Sequence, residues 1–135
     1  AAILDIKLRH LDEYAAARRS AADYYDQAFA DVDALQTPVR DPKSTHVFHQ
    51  YTLKVSGGQR DALQAYLKEQ GIPNMIYYPV PLYKQEAYQK AMANQVEHLP
   101  ATEALCASVI SLPMHTELDE ASLAYITGKV RQFFS

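Results

Sequence analysis

The chain has 135 residues, 48% of them hydrophobic and 21% charged, with a formal net charge of -3. That length bounds one domain with a real core and is short for an enzyme carrying both a cofactor domain and a substrate domain. The slight acidity offers nothing to phosphate backbones or anionic membranes, and no apolar run nears the roughly 20 residues that cross a bilayer, so neither nucleic acid nor membrane is an expected partner.

The segment "AAILDIKLRHLDEY" begins in full helical periodicity, with no Ser, Thr, Asp or Asn ahead of it to cap its amides, and reads as a chain cut in mid-element. Nothing in it resembles a signal peptide. Leu4, Leu8, Leu11 and Ala15, with Ile3, Tyr14, Ala21 and Tyr25, recur at three- and four-residue spacing and predict one long amphipathic helix from Ala1 to about Phe29. At about 1.5 Å per residue such a helix outruns a domain this small. It is expected to be an interdomain helix whose apolar face is partly exposed or paired with another copy.

"ALQTPVRDPKST" holds two prolines and is expected to be a loop. "HVFHQYTLKV" then alternates, predicting a strand of about ten residues with Val47, His49, Tyr51, Leu53 and Val55 on one face and His46, Phe48, Gln50, Thr52 and Lys54 on the other. Gly57 and Gly58 turn the chain into a helix over "QRDALQAYLKEQG", with Ala62, Leu63, Tyr66 and Leu67 inward and Gly71 as its stop. "PNMIYYP" is a short strand candidate closed by Pro79 and Pro81. "YKQEAYQKAMA" and "LPATEALCAS" read as short helices, the second with Pro100 in its first turn, and "VISLP" as a third strand. Asp119 caps a last helix, "EASLAYITGKVRQFF", with Leu123, Ile126, Val130 and Phe133 or Phe134 as its apolar stripe. The sum is an α+β fold: a small, mainly antiparallel sheet of about three strands covered by helices over residues 46–135, preceded by the long helix over 1–29.

The single cysteine, Cys106, cannot form an internal disulfide and falls in an apolar periodicity, so it reads as a buried small hydrophobe in a reducing compartment, the cytoplasm by default. His46 and His49, three apart on a strand, would point to opposite faces and make poor joint ligands, and the other histidines stand in other elements. No G-x-S-x-G turn and no glycine-rich phosphate loop is present. The unusual stretch is "GIPNMIYYPVPLYKQEAY", with four tyrosines and three prolines in eighteen residues. Adjacent Tyr77 and Tyr78 point to opposite faces of an extended chain and cannot serve one core. These rings either cover a sheet edge or stack on a planar base or sugar, and His49 is either a core histidine or a contact at the same site.

"AAILDIKLRHLDEYAAARRSAADYYDQAF", "HVFHQYTLKV", "RDALQAYLKEQGI", "IYYPVPLYKQEAY" and "LPATEALCASVISLPMHTELDEASLAYI", in this order and spacing, resemble the C-terminal portion of the DegT/DnrJ family of nucleotide-sugar aminotransferases. The tyrosine-proline segment followed by Gln85 and the "SLPM" segment are the most specific matches. The resemblance implies a pyridoxal-phosphate enzyme of the aspartate aminotransferase fold type, of which this chain is the small C-terminal domain. The Schiff-base lysine and the aspartate that pairs with the pyridine nitrogen would lie before Ala1. It implies transfer of an amino group from an amino acid, glutamate in the usual case, to a nucleotide-linked keto-sugar, in a homodimer, commonly for bacterial surface polysaccharide or an amino-sugar antibiotic. By the same resemblance Tyr77 and Tyr78, with Tyr83 and His49 beside them, approach the nucleotide-sugar. Many relatives have histidine where this chain has Tyr77 and Tyr83, and tyrosine cannot become cationic near neutral pH. The alternative is a binding or dimerisation module, or a regulator, that keeps the fold without the chemistry.

Overall fold

Residues 2–88 and 98–135 are described by the computed structural model of the chain. The helix expected over 1–29 is interrupted at Arg9 and His10, giving α1 (Ala2–Leu8) and α2 (Leu11–Phe29). Packing explains the break. α1 has no buried residue, and a helix of two turns without burial is marginal in water, so packing does little to hold it to its neighbour's axis. α2 is held by Ala21, Ala22, Tyr25 and Phe29, all buried. Ile3, Leu4, Ile6, Leu8 and Leu11 stay 55–71% exposed, as the surplus apolar face requires.

The sheet has three antiparallel strands in the order β1 (Leu35–Gln36), β2 (Tyr51–Val55), β3 (Val109–Leu112). β1 lies in the segment expected to be loop, so the core begins ahead of residue 46. Tyr51 opposes Leu112 and Leu53 opposes Ile110 across β2 and β3, and together with Val55 they form the buried face. On the opposite face the Thr52 and Ser111 hydroxyls meet at 2.8 Å, a cross-strand pair that satisfies both.

β2 is five residues, not ten, because the backbone of Phe48 is left-handed, with φ of 47°. That turn sends the Phe48 ring inward in place of Val47, and Phe48 is 2% exposed while Val47 is 53% exposed. Burial of a large ring outweighs the alternation read from the sequence. The Phe48 amide donates to His46 Nδ1 at 2.9 Å, and the Arg40 guanidinium lies 4.8 Å over the ring. Arg40 also pairs with Asp23 and Asp26, both at 2.6 Å, and Asp26 accepts from the Tyr51 hydroxyl at 2.5 Å. The irregular segment ahead of β2 is thereby fastened to α2.

α3 (Arg60–Glu69) buries Leu63 and Leu67 and half-buries Tyr66, while Ala62 is exposed against expectation. It stops at Gly71, whose φ of 71° any Cβ would strain. Beyond it the expected strand reduces to one bridge, Met75 to Ser111, with amide-to-carbonyl distances of 3.1 and 2.8 Å. Residues Leu82–Lys84 form one 3-10 turn and 86–88 are helical. The rest of the helix expected over 83–93 lies outside the described residues. α4 (Pro100–Ser108) leads directly into β3, and α5 (Glu120–Phe133) follows, its first turn capped by the Asp119 carboxylate, which accepts from the Ser122 amide at 2.8 Å. α2, α3 and α5 pack together over the buried face of the sheet, with Leu123, Ile126 and Val130 of α5 in the core. Arg131 of α5 closes the far end, donating to the Ala28 carbonyl at 2.6 Å and to the Asp31 carboxylate. Cys106 is half-buried, not buried. No helix among the described residues is long and apolar enough to cross a membrane.

Candidate functional site

The edge of β3 carries the chain's tyrosine-rich segment. Met75 pairs with Ser111, the chain then leaves the sheet, and the prolines at 79 and 81 prevent regular pairing, so the residues between stand at a rim. A cleft of about 210 Å³ opens there, lined by His49, Gln50, Asn74, Met75, Tyr77, Ser111 and Met114 among others. The structure thus brings His49 and Tyr77, distant in sequence, to one surface.

His49 reaches that cleft because it follows the left-handed Phe48. It is exposed, which rules out the core-histidine reading. His46 and His49 also line a common side cleft with Phe48, where a regular strand would have set them on opposite faces. Among the described residues no group of three or more His, Cys, Asp or Glu is placed to hold a metal.

Tyr77 is 43% exposed and Tyr78 is 81% exposed. Tyr78 is also left-handed, with φ of 57°. For a residue with a Cβ this backbone costs about 1–2 kcal/mol, a cost that usually marks a turn or a working site. Since the ring is almost wholly in water, its packing does not offset that strain. Tyr78→Gly is therefore expected to leave the chain's stability unchanged or raise it by up to about 1 kcal/mol, read as the midpoint of urea unfolding. A loss of stability would mean that the ring holds the fold.

Tyr83 does not line the cleft of His49 and Tyr77. It is half-buried, and its hydroxyl donates to Glu103 of α4. Glu103 also meets Lys84 Nζ and His98 Nδ1, each at 3.0 Å. The hydrogen bond from Tyr83, then that from Lys84, holds the Glu103 carboxyl down to about 2 from its ordinary 4.5. The contribution of these contacts to stability is therefore present above pH 4.5 and lost as pH falls toward 2.

Two residues of the site had no sequence signal. Asn74 donates through Nδ2 to the Ile72 carbonyl at 3.1 Å, and its Oδ1 is buried without a protein partner among the described residues. Glu103 belongs to no motif and stands in the short helix α4. The cleft is smaller than the roughly 300–1,000 Å³ of a typical small-molecule pocket, so alone it could enclose only part of a ligand of that size. Lys7, Lys43, Lys54, Lys68 and Lys84 are exposed, Lys129 is half-buried, and none of them lines it. The described residues therefore do not fit the covalent attachment of pyridoxal phosphate.

The described residues thus form a small α+β fold with an aromatic rim at the edge of its sheet. Residues 1–131 match the DegT/DnrJ/EryC1/StrS aminotransferase family, and the chain belongs to that family. It is 39% identical over 136 residues to a pleiotropic regulatory protein of Geobacillus stearothermophilus, covering 99% of this chain and 36% of that protein. It is 38% identical over 133 residues to a UDP-N-acetyl-3-dehydro-alpha-D-glucosamine 3-aminotransferase of Acidithiobacillus ferrooxidans, covering 98% of this chain and 34% of the relative. Among solved structures, a DegT DnrJ EryC1 StrS aminotransferase from Brucella abortus superposes with a TM-score of 0.86 at 33% identity, over 99% of this chain and 35% of that one. The chain spans about a third of the length of the relatives it matches.

Proposed function

We propose that this chain is the C-terminal small domain of a cytoplasmic aminotransferase that moves an amino group from an amino acid, with glutamate the expected donor, to a keto-sugar carried on a nucleotide. The observation that carries the reading is the exposed pair Tyr77 and Tyr78 at the rim, with Tyr78 kept in a strained backbone that its packing does not repay. In this reading Tyr77 and His49 face the nucleotide-sugar across one cleft, and Tyr78 stands at its lip. Tyr83 contributes its ring, its hydroxyl being engaged by Glu103. Asn74 Oδ1 accepts from a hydroxyl or amide of the sugar. The cleft needs a second wall, which the remaining two-thirds of the protein and a partner subunit of a homodimer would supply. Pyridoxal phosphate, when bound, supplies the carbanion chemistry, and its lysine belongs to that remainder.

A second reading follows from the relative named as a regulatory protein: the parent keeps the fold and binds a ligand without catalysis. One measurement separates the two. The visible spectrum of the whole protein is recorded with pyridoxal phosphate before and after adding glutamate. A band that bleaches with glutamate supports the aminotransferase; a protein that never takes up colour overturns it and leaves the binding reading.

A further inference from the structure

The tyrosine rim is held at two points, and only one of them belongs to the sheet. At its start Met75 is bonded to Ser111 of β3 in both directions. At its end the 3-10 turn Leu82–Lys84 is gripped by the carboxylate of Glu103. Glu103 accepts from the Tyr83 hydroxyl and pairs with Lys84 Nζ at 3.0 Å, and the Lys84 ammonium lies 5.7 Å from the Tyr83 ring centroid. His98 Nδ1 lies 3.0 Å from Oε1, and Glu103 is only 26% exposed at the side chain.

The helix bearing Glu103 is itself anchored. Arg60, the first residue of α3 and 8% exposed, donates through one guanidinium nitrogen to the carbonyls of Cys106 at 2.9 Å and Val109 at 3.0 Å. A buried cation on the terminal carbonyls of α4 satisfies groups that the helix leaves open and favours the negative end of its dipole. Force on the rim therefore passes from Tyr83 through Glu103 into α4 and from there into α3 and β3.

We propose that Glu103 is a positioning residue for the substrate wall: by holding the 3-10 turn it sets where Tyr77 and Tyr78 stand, without touching the substrate itself. This rests on the nucleotide-sugar reading above. Between Met75 and Tyr83 lie seven residues, two of them proline, and a chain this short and stiff transmits the placement of its ends to its middle. The carboxylate is suited to the task because two different donors, a hydroxyl and an ammonium, converge on its two oxygens and fix the turn in orientation as well as in distance.

The test uses the whole protein, with UDP and dTDP as probes in calorimetry and the reaction with glutamate alone followed by absorbance. Glu103→Ala is expected to weaken nucleotide binding roughly tenfold while the rate with glutamate stays at the wild-type value. Glu103→Gln keeps an acceptor for Tyr83 and should recover most of the affinity. Tyr83→Phe removes the donor, keeps the ring, and should weaken binding no further when combined with Glu103→Ala. Wild-type affinity in Glu103→Ala, equal loss in both half-reactions, or full additivity in the double variant would each overturn the role. Should Glu103→Ala fail to fold, Tyr83→Phe and Glu103→Gln carry the comparison: wild-type affinity in Tyr83→Phe overturns the role. A wild-type protein that binds neither nucleotide overturns the nucleotide-sugar reading, and the role of Glu103 falls with it.

Discussion

Tyr77→Ala in the whole protein is expected to raise the KM for the nucleotide-sugar by roughly tenfold to a hundredfold, the equivalent of about 1–3 kcal/mol for a ring stacked on a planar group. The rate of the half-reaction with glutamate should not change. On the proposed function the split would arise because an amino acid donor is too small to need this wall, whereas a nucleotide-sugar would lie across it. Tyr77 suits this measurement better than its neighbours: it lines the cleft with His49 and Asn74, and at 43% exposure its removal leaves no large cavity. Tyr77→Phe should keep most of the affinity if the ring stacks, and lose it if the hydroxyl is the contact. Equal damage to both half-reactions would remove Tyr77 from the substrate wall.

Tyr25→Ala is expected to cost about 3–5 kcal/mol of folding stability, a large share of the roughly 5–15 kcal/mol that holds a domain together. Tyr25 is fully buried, its ring lies 4.8 Å from that of Tyr51 and 6.0 Å from that of Phe29, and its hydroxyl donates to the Pro113 carbonyl at 2.9 Å. Burial also pushes its phenol well above the usual tyrosine range, so the group stays protonated and the hydrogen bond persists at any physiological pH. Tyr25→Phe removes only that bond and should cost about 1 kcal/mol. Urea unfolding of the two variants separates the ring from the hydroxyl. A Tyr25→Ala protein within about 1 kcal/mol of wild type would mean that α2 is not part of the core.

Most of the architecture was legible where one period ran uninterrupted. The stripe of α5, its Asp119 cap, the glycine stop of α3 and the alternation of Tyr51, Leu53 and Val55 all read directly from spacing, because in each case local preference and tertiary burial agree. The disagreements have one common form. Phe48 breaks the alternation because a deep aromatic pocket outweighs backbone preference, and α1 separates from α2 because its apolar stripe is not buried. β1 is two residues long, too short to show any period. At the site the tyrosine cluster was visible as a compositional excess, but the convergence of His49 on Tyr77 and the grip of Glu103 on Tyr83 depend on tertiary folding that no local pattern encodes.

The closure by Arg131 carries a consequence for synthesis. The last helix supplies Leu123, Ile126 and Val130 to a core whose other wall is α2, and its arginine ties residues a hundred positions apart. While the codons of β3 are being read, α2 has been made and lacks the cover that α5 gives it. Closure of this core therefore waits until α5 has been made, and for that interval the nascent domain is a natural client for a chaperone that shields aromatic surface.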